Sequence, residues 1–528
     1  MTRTVAEAFA VAGSLTPERA FLNVLGETAA VYGIAGGPVS YAAMMADVEA
    51  LRRRYVRAGV GAGDRVLALL ENRPSLVAHF LALNGLGASI VPINPDLRRA
   101  ELRMIGGHAE PVLAVATPAR VADLAEASGQ TGGFPVIADG EAIPALGEGL
   151  RAEPSGEAEA ALLYTSGTTG GPKGCVLSNH YFLEAGRWYQ RAGGLCRLDD
   201  GERMLTPLPL FHMNALAYSL MAMIAVCGTL TVLDRFHPTT WWQSVREADA
   251  TAIHYLGVMP AMLMQAPPRE DDWAHSVKFG FGANVEPQLH AAFEARFGFP
   301  LVEAWAMTET GAGAVIAANR APRRVGMKSF GRPGPEIEVR LVDDEGADAG
   351  DGPGELLVRR AGPVPRFGFF TRYHKDEAAT EAAWAGGFFH TGDIVRREGA
   401  DLVFVDRKKN VIRRSGENIA AVEVEAVLLA YPKVMAAGVA AVADPIRGEE
   451  VFACIVAPDG SAALAEAIVR HALAELAYYK APGYVAFVEA LPVTATQKIQ
   501  RAELKALAAG LVGGAGTHDL RALKTRTA

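Results

Sequence analysis

The sequence predicts an α/β protein: a large N-terminal domain of parallel α/β sheets with a small β-barrel-like subdomain, followed by a small α+β C-terminal domain. Three observations carry this reading. Short β-branched or apolar runs alternate with longer Ala/Leu/Glu/Arg-rich segments through the first half of the chain. The texture changes to short strands and Gly/Pro turns after Gly331. It returns to a β/α mixture from Ala420.

Residues 65–70 (RVLALL) read as a buried strand after the Gly63-Asp64 turn, residues 75–86 as a helix and 89–93 as the next strand. The alternation continues through strands at 112–115 and 136–137 around a helix at 119–127, and strands at 229–233 and 252–256 around a helix at 239–248. Strands separated by helices pair in parallel and are covered on both faces, hence the unbroken apolar runs. Residues 336–343, 354–359 and 401–405 lie between Gly/Pro turns and read as antiparallel strands. Helices at 422–430 and 462–476 and strands at 434–442 and 451–456 follow. The charged stretch Asp406-Arg407-Lys408-Lys409 marks the boundary, giving domains 1–406 and 407–528. The Gly-rich segment 510–516 is expected to fray.

At 528 residues the chain has the length of about three average domains. Its 51 Lys and Arg oppose 59 Asp and Glu, a net charge of −8, so it lacks the positive excess that phosphate-backbone binding to nucleic acid needs. Cys175, Cys196, Cys227 and Cys454 form no CxxC or Cys/His cluster, which argues against a disulfide scaffold or structural zinc and suits a reducing compartment. Glu7 interrupts the one candidate for a secretory signal. The uncharged window 216–233 is split by Gly228 and reads as a buried helix and strand rather than a membrane span. A soluble, cytoplasmic protein is expected.

The densest motif is Tyr164-Thr165-Ser166-Gly167-Thr168-Thr169-Gly170-Gly171-Pro172-Lys173-Gly174, directly after the apolar run 160–163. Hydroxyls, glycines and one lysine in this order make an anion cradle, since backbone N–H groups, hydroxyls and an ammonium can all meet phosphate oxygens. Its lysine is not in the Gly-Lys-Ser/Thr setting of a P-loop. Four further runs stand downstream: Phe281-Gly282-Ala283-Asn284, Trp305-Ala306-Met307-Thr308-Glu309, Thr391-Gly392-Asp393 and Asp406-Arg407-Lys408-Lys409. Small residues let a ligand approach the backbone. A carboxylate beside a hydroxyl suits Mg²⁺ on phosphate oxygens. An aspartate after a tight turn can accept from vicinal hydroxyls.

In this order the motifs resemble those of the adenylate-forming superfamily: acyl-CoA synthetases, peptide-synthetase adenylation domains and luciferase. The likeness runs from about residue 30 to about residue 508 and is nearest to bacterial acyl-CoA synthetases such as the crotonobetaine/carnitine ligases. It implies a two-step ligase using ATP, Mg²⁺ and coenzyme A. Thr165, Ser166, Gly167, Thr168, Thr169 and Lys173 would hold phosphates. Gly282, Ala283, Asn284, Glu303, Trp305 and Met307 would line the nucleotide. Thr308 would touch phosphate, Glu309 would hold Mg²⁺, and Asp393 and Arg407 would hold ribose or phosphate. The family more often has Tyr at the position of Trp305.

The resemblance also implies a mobile C-terminal domain. Lys409 would be its hinge, and Lys498, in Thr494-Ala495-Thr496-Gln497-Lys498, its catalytic lysine. Gln497 replaces the usual Gly. Ser415, Gly416 and Lys480 would serve coenzyme A, and His212, in Pro207-Leu208-Pro209-Leu210-Phe211-His212, would sit where the acyl carboxylate meets the thiol path. His212, Tyr255, Gly257, Val258, Phe281 and Gly282 would shape the acyl pocket. The expected partners are a small carboxylic acid and coenzyme A. A carrier protein or other nucleophile is the alternative acceptor, and a non-catalytic nucleotide-binding protein the remaining alternative.

Overall fold

The computed structural model describes residues 2–150, 152–165, 173–343, 346–350, 352–407, 411–492, 499 and 501–525. The chain divides into two compact units. The larger comprises Met1–Pro95, Gly106–Tyr164 and Gly174–Asp406, and the smaller Asp96–Ile105, Thr165–Lys173 and Arg407–Ala528.

Three sheets build the larger unit among the described residues. The first orders its strands Ile316–Ala317, Leu301–Trp305, Phe279–Ala283, Ala252–Leu256, Arg203–Thr206, Thr229–Val232, Ala20–Val24 and Gly37–Ser40. Its inner pairs are all parallel and its two outermost pairs antiparallel. The second has Ser89–Pro92, Arg65–Leu69, Leu113–Ala116 and Val136–Ala138 paired in parallel. Leu113–Ala116 and Ser89–Pro92 are buried at every residue, as strands covered on both faces must be. The third is the expected β subdomain: a five-stranded sheet in the order Ser329–Gly331, Asp401–Arg407, Phe389–Glu398, Gly354–Arg360 and Ile337–Val342, whose printed pairs are antiparallel.

Helix Asn179–Ala192 is central to the core. Ser178 caps its N-terminus by accepting from the Tyr181 N–H, and Gly193 follows its C-terminus at φ 61°. Tyr181, Phe182, Ala185, Trp188 and Tyr189 bury one face, and Gly186 lets the backbone approach the next helix, Leu220–Ala225. That helix grows out of a π-helical stretch, Asn214–Ser219. The apolar window is thus a short broken helix and a strand, and no helix among the described residues is long and apolar enough to cross a membrane.

In the smaller unit, Glu417–Ala420, Val411–Arg414, Gly448–Val456, Tyr484–Phe487 and Thr517–Asp519 form a mixed sheet, with Ala436–Asp444 also pairing to Gly448–Val456. Helices Ala421–Leu429, Ala462–Glu475 and Arg501–Leu511 accompany it. The Gly-rich segment does not end the ordered chain. It turns residues 517–519 back into the sheet, where they pair antiparallel to Tyr484–Phe487 and supply backbone hydrogen bonds that a frayed tail would lack.

A Cβ added at Gly186 would stand 2.5 Å from the Met221 carbonyl oxygen. Gly186→Ala should therefore force the two helices apart and cost about 1–3 kcal/mol, read from urea unfolding midpoints.

Candidate active site

The sheet's parallel strands end on one side, and ligands of open α/β sheets bind beyond such carboxyl ends. Strands Ala252–Leu256, Phe279–Ala283 and Leu301–Trp305 deliver their C-terminal turns there. Glu303 joins the last two. Its carboxylate accepts the backbone N–H groups of Asn284 (2.9 Å) and Val285 (2.6 Å), and Asn284 takes φ 64° to complete the turn. Burial pushes the Glu303 carboxyl up to about 7, against the pull of those two N–H donors. The turn also packs on the strand before it: a Cβ at Gly257 would meet the Asn284 oxygen at 1.6 Å, and one at Gly282 the Tyr255 oxygen at 2.2 Å. Only glycine permits these approaches. Tyr255 is fully buried, and its hydroxyl has no hydrogen-bond partner among the described residues. Val258 begins the short helix that follows, and Ala283 ends its strand.

Trp305 closes its strand with the indole N–H donating to Asp393 Oδ2 at 2.9 Å, both side chains buried. Gly392 at φ 67° makes the turn before Asp393. Thr391 binds the Leu356 carbonyl through its hydroxyl and accepts the Asp393 N–H. After Trp305 the chain turns tightly: the Met307 N–H donates to Thr310 Oγ1 (2.9 Å), which sets Thr308 and Glu309 in the bend. Glu309 is buried, and its Oε1 accepts the Tyr373 hydroxyl at 2.9 Å. Burial and the carboxylate raise the Tyr373 phenol far above its ordinary value, so it stays a donor.

His212 lies on the loop before the π-helical stretch, its ring 4.5 Å from that of Phe211. Buried Asn72 secures that loop, donating to the Leu208 and Leu233 carbonyls and accepting the Leu210 N–H. Phe281 faces an aromatic cluster, with Trp188 and Tyr189 each 5.4 Å and Tyr218 6.2 Å away. His254 completes it, in contact with Tyr189, Ser219 and Asn214 at 2.7 Å each, and burial lowers its imidazole to about 3, so it is neutral.

Residues 18–366 match the AMP-binding enzyme family and residues 423–498 the AMP-binding enzyme C-terminal domain. The chain belongs to the AMP-binding enzyme family. It is 31% identical over 481 residues to the sulfoacetate–CoA ligase of Cupriavidus necator, spanning 89% of this chain and 92% of that one. It is 30% identical over 508 residues to the crotonobetaine/carnitine–CoA ligase of Salmonella arizonae, spanning 91% and 96%. Among solved structures it resembles the o-succinylbenzoate CoA synthetase of Bacillus subtilis, with a TM-score of 0.79 at 25% identity over 94% of this chain and 98% of that one.

Of the AMP-binding motifs, the structure joins Gly257, Gly282, Asn284 and Glu303 in one packed unit and Trp305 and Asp393 in one hydrogen bond. Thr165 ends the strand Glu159–Thr165 and Lys173 begins Lys173–Ser178, with the Thr165 hydroxyl 3.5 Å from the Lys173 carbonyl. Ser166, Gly167, Thr168 and Thr169 between them lie outside the described residues, as do Lys409, Gln497 and Lys498. Arg407 is the last residue of its strand. Ser415 (φ 50°) and Gly416 (φ 87°) form a two-residue hairpin tip in the smaller unit. Lys480 is buried in that unit between Glu101 (2.7 Å) and Glu423 (2.8 Å). Burial disfavours its charge, but the two carboxylates outweigh this and hold it protonated.

Among the described residues no three His, Cys, Asp or Glu side chains gather as a metal cage. A single buried carboxylate, with Tyr373 on one oxygen, fits Mg²⁺ that keeps water and phosphate as its other ligands. Sequence reasoning missed Tyr373, Asn72 and His254. His254 interrupts an otherwise apolar strand, a signal that could have marked it; the others carry no local pattern.

Replacing Trp305 by Phe keeps a ring but leaves the buried Asp393 oxygen without its indole donor. The Michaelis constant for ATP should rise about tenfold, a loss of about 1–2 kcal/mol, with kcat less affected. Because the folded Glu303 carboxyl titrates near 7, above its ordinary 4.5, its protonation favours the folded state. That contribution is complete below pH about 4.5 and lost as pH rises through 7. Between pH 5 and 8 the wild type should therefore lose up to about 3 kcal/mol relative to Glu303→Gln, measured by urea unfolding.

Proposed function

We propose that this enzyme joins a small or medium, largely apolar carboxylic acid to coenzyme A through an acyl-adenylate. Its general class, an AMP-forming acid–CoA ligase using ATP, Mg²⁺ and coenzyme A, follows from its family and from relatives that are CoA ligases. The observation that carries the finer reading is the aromatic packing behind Phe281. Trp188, Tyr189 and Tyr218 pack on the ring of Phe281, and in this reading they close the acyl pocket behind it so that the turn at Gly282 faces a short acid.

A carboxylate acylates poorly because its leaving group would be oxide. In the first step a carboxylate oxygen attacks the α-phosphorus of ATP and the bond to pyrophosphate breaks, leaving a mixed anhydride. Two anions meet in this step, so catalysis requires positive charge fixed where they approach. Lys173 and Lys498 supply it from the protein, and bound Mg²⁺ would neutralise phosphate charge beside Glu309. The Asn284 turn, held by Glu303, offers backbone to the nucleotide, while Asp393, aligned by Trp305 and Thr391, accepts from ribose hydroxyls. His212 orients the acyl carboxylate on a loop pinned by Asn72. In the second step the thiol sulfur attacks the acyl carbonyl and AMP departs. The position Lys498 occupied must then be vacated, which a pivot at Lys409 achieves while the Ser415-Gly416 tip lines the thiol's path.

Lys498→Ala should abolish pyrophosphate release with every acid while sparing thioester formation from supplied acyl-adenylate. Equal loss of both half-reactions contradicts this assignment. A pyrophosphate-release panel, with and without coenzyme A, identifies the acid. Turnover confined to long-chain acids contradicts the size limit.

A further inference from the structure

A cavity of about 260 Å³ opens in the larger unit away from the turns described above. Its walls come from the end of helix Asn179–Ala192, strand Ile316–Ala317, the following loop and the segment between Ser329–Gly331 and Ile337–Val342. Six arginines line it: Arg191, Arg320, Arg323, Arg324, Arg332 and Arg360. Among the described residues four carboxylates answer them. Glu336 and Asp401 stand in the lining, while Glu184 and Glu294 reach in from behind.

The pairing is uneven. Arg323 is held by both oxygens of Glu294 (2.8 and 2.7 Å), and Arg191 by Glu184 at 2.6 Å. Arg360 stands only 3.8 Å from the same Glu184, and Asp401 is shared between Arg324 (3.2 Å) and Arg332 (3.5 Å). Arg320 donates to the Ala192 carbonyl at 3.0 Å and meets no carboxylate. A guanidinium carries five donors in a planar fork matched to oxyanions, so Arg320 and Arg332 retain donors for a ligand. Among the described residues Glu336 makes no ion pair, so its charge opposes that of one arginine in the lining.

We propose that this cavity is a second, anion-selective site, separate from the acyl-activating turns, that takes a compact di- or trianionic oxyacid. Two surplus positive charges suit that valence. The volume lies just below the usual ligand-pocket range, which suits a phosphate or small polycarboxylate. Occupancy would be felt at the active turns. Ile316 lines the cavity and pairs across the strand with Trp305, and Trp188 lines it while packing on Phe281.

The test is isothermal titration of the full-length protein with inorganic phosphate and with citrate at low ionic strength. Saturable binding is expected, weakened at least about tenfold by Arg320→Ser/Arg332→Ser through loss of two charge-assisted contacts. It should tighten in Glu336→Gln, where one repelling charge is gone, and persist in Lys173→Ala. Both arginines and Glu336 are exposed, so these variants should fold. Absence of saturable binding, equal affinity in the double variant, or binding lost only in Lys173→Ala overturns the proposal.

Discussion

A buried carboxylate at residue 303 ties two neighbouring parallel strands together just past their ends. Backbone groups there have left the sheet and have no ladder partner, and water is excluded. Without an acceptor, the N–H groups of Asn284 and Val285 would stand unpaired in the interior, at a cost comparable to a lost hydrogen bond each. Glu303 satisfies both and in doing so fixes Asn284 in a left-handed conformation against Gly257. The turn is therefore held by two hydrogen bonds and close packing rather than by regular secondary structure. Its raised proton affinity is the consequence of placing an acceptor so deep.

The same economy recurs at the other acids. Asp393 accepts the Trp305 indole N–H, and Glu309 accepts the Tyr373 hydroxyl. A neutral donor orients a carboxylate without cancelling its charge, whereas an arginine would. Tryptophan at position 305 is consistent with this use: its N–H is donor only, so it can serve Asp393 in one orientation alone.

Charge is arranged differently behind the strand Ile316–Ala317. There arginines outnumber carboxylates, and Trp188 and Trp305 connect that region to the catalytic turns through packed rings and one strand pairing. Packed interiors transmit displacement because few voids absorb it.

Much of this was legible from residue order alone. Apolar runs such as 112–115, seen in the fold as strand Leu113–Ala116, read as strands covered on both faces, and hydroxyls, glycines and lysine at 165–173 could only be read as an anion cradle once the later motifs followed in register. Helix ends were less legible: residues 75–86 begin instead at Pro74, where proline suits a first turn. The Gly-rich segment at 510–516 looked like an end because nothing local announces the strand pairing that follows. Composition and motif order by themselves determined the class of fold, the family and the residue types available to the chemistry, since those depend on periodicity and on chemical identity along the chain. Tertiary structure alone decided that Trp305 would serve Asp393, Tyr373 would serve Glu309, and six arginines would share one cavity. The paired residues, and Arg191 and Arg360 against the arginines at 320–332, lie tens of residues or more apart, and only the folded path, which closes long loops, makes them neighbours.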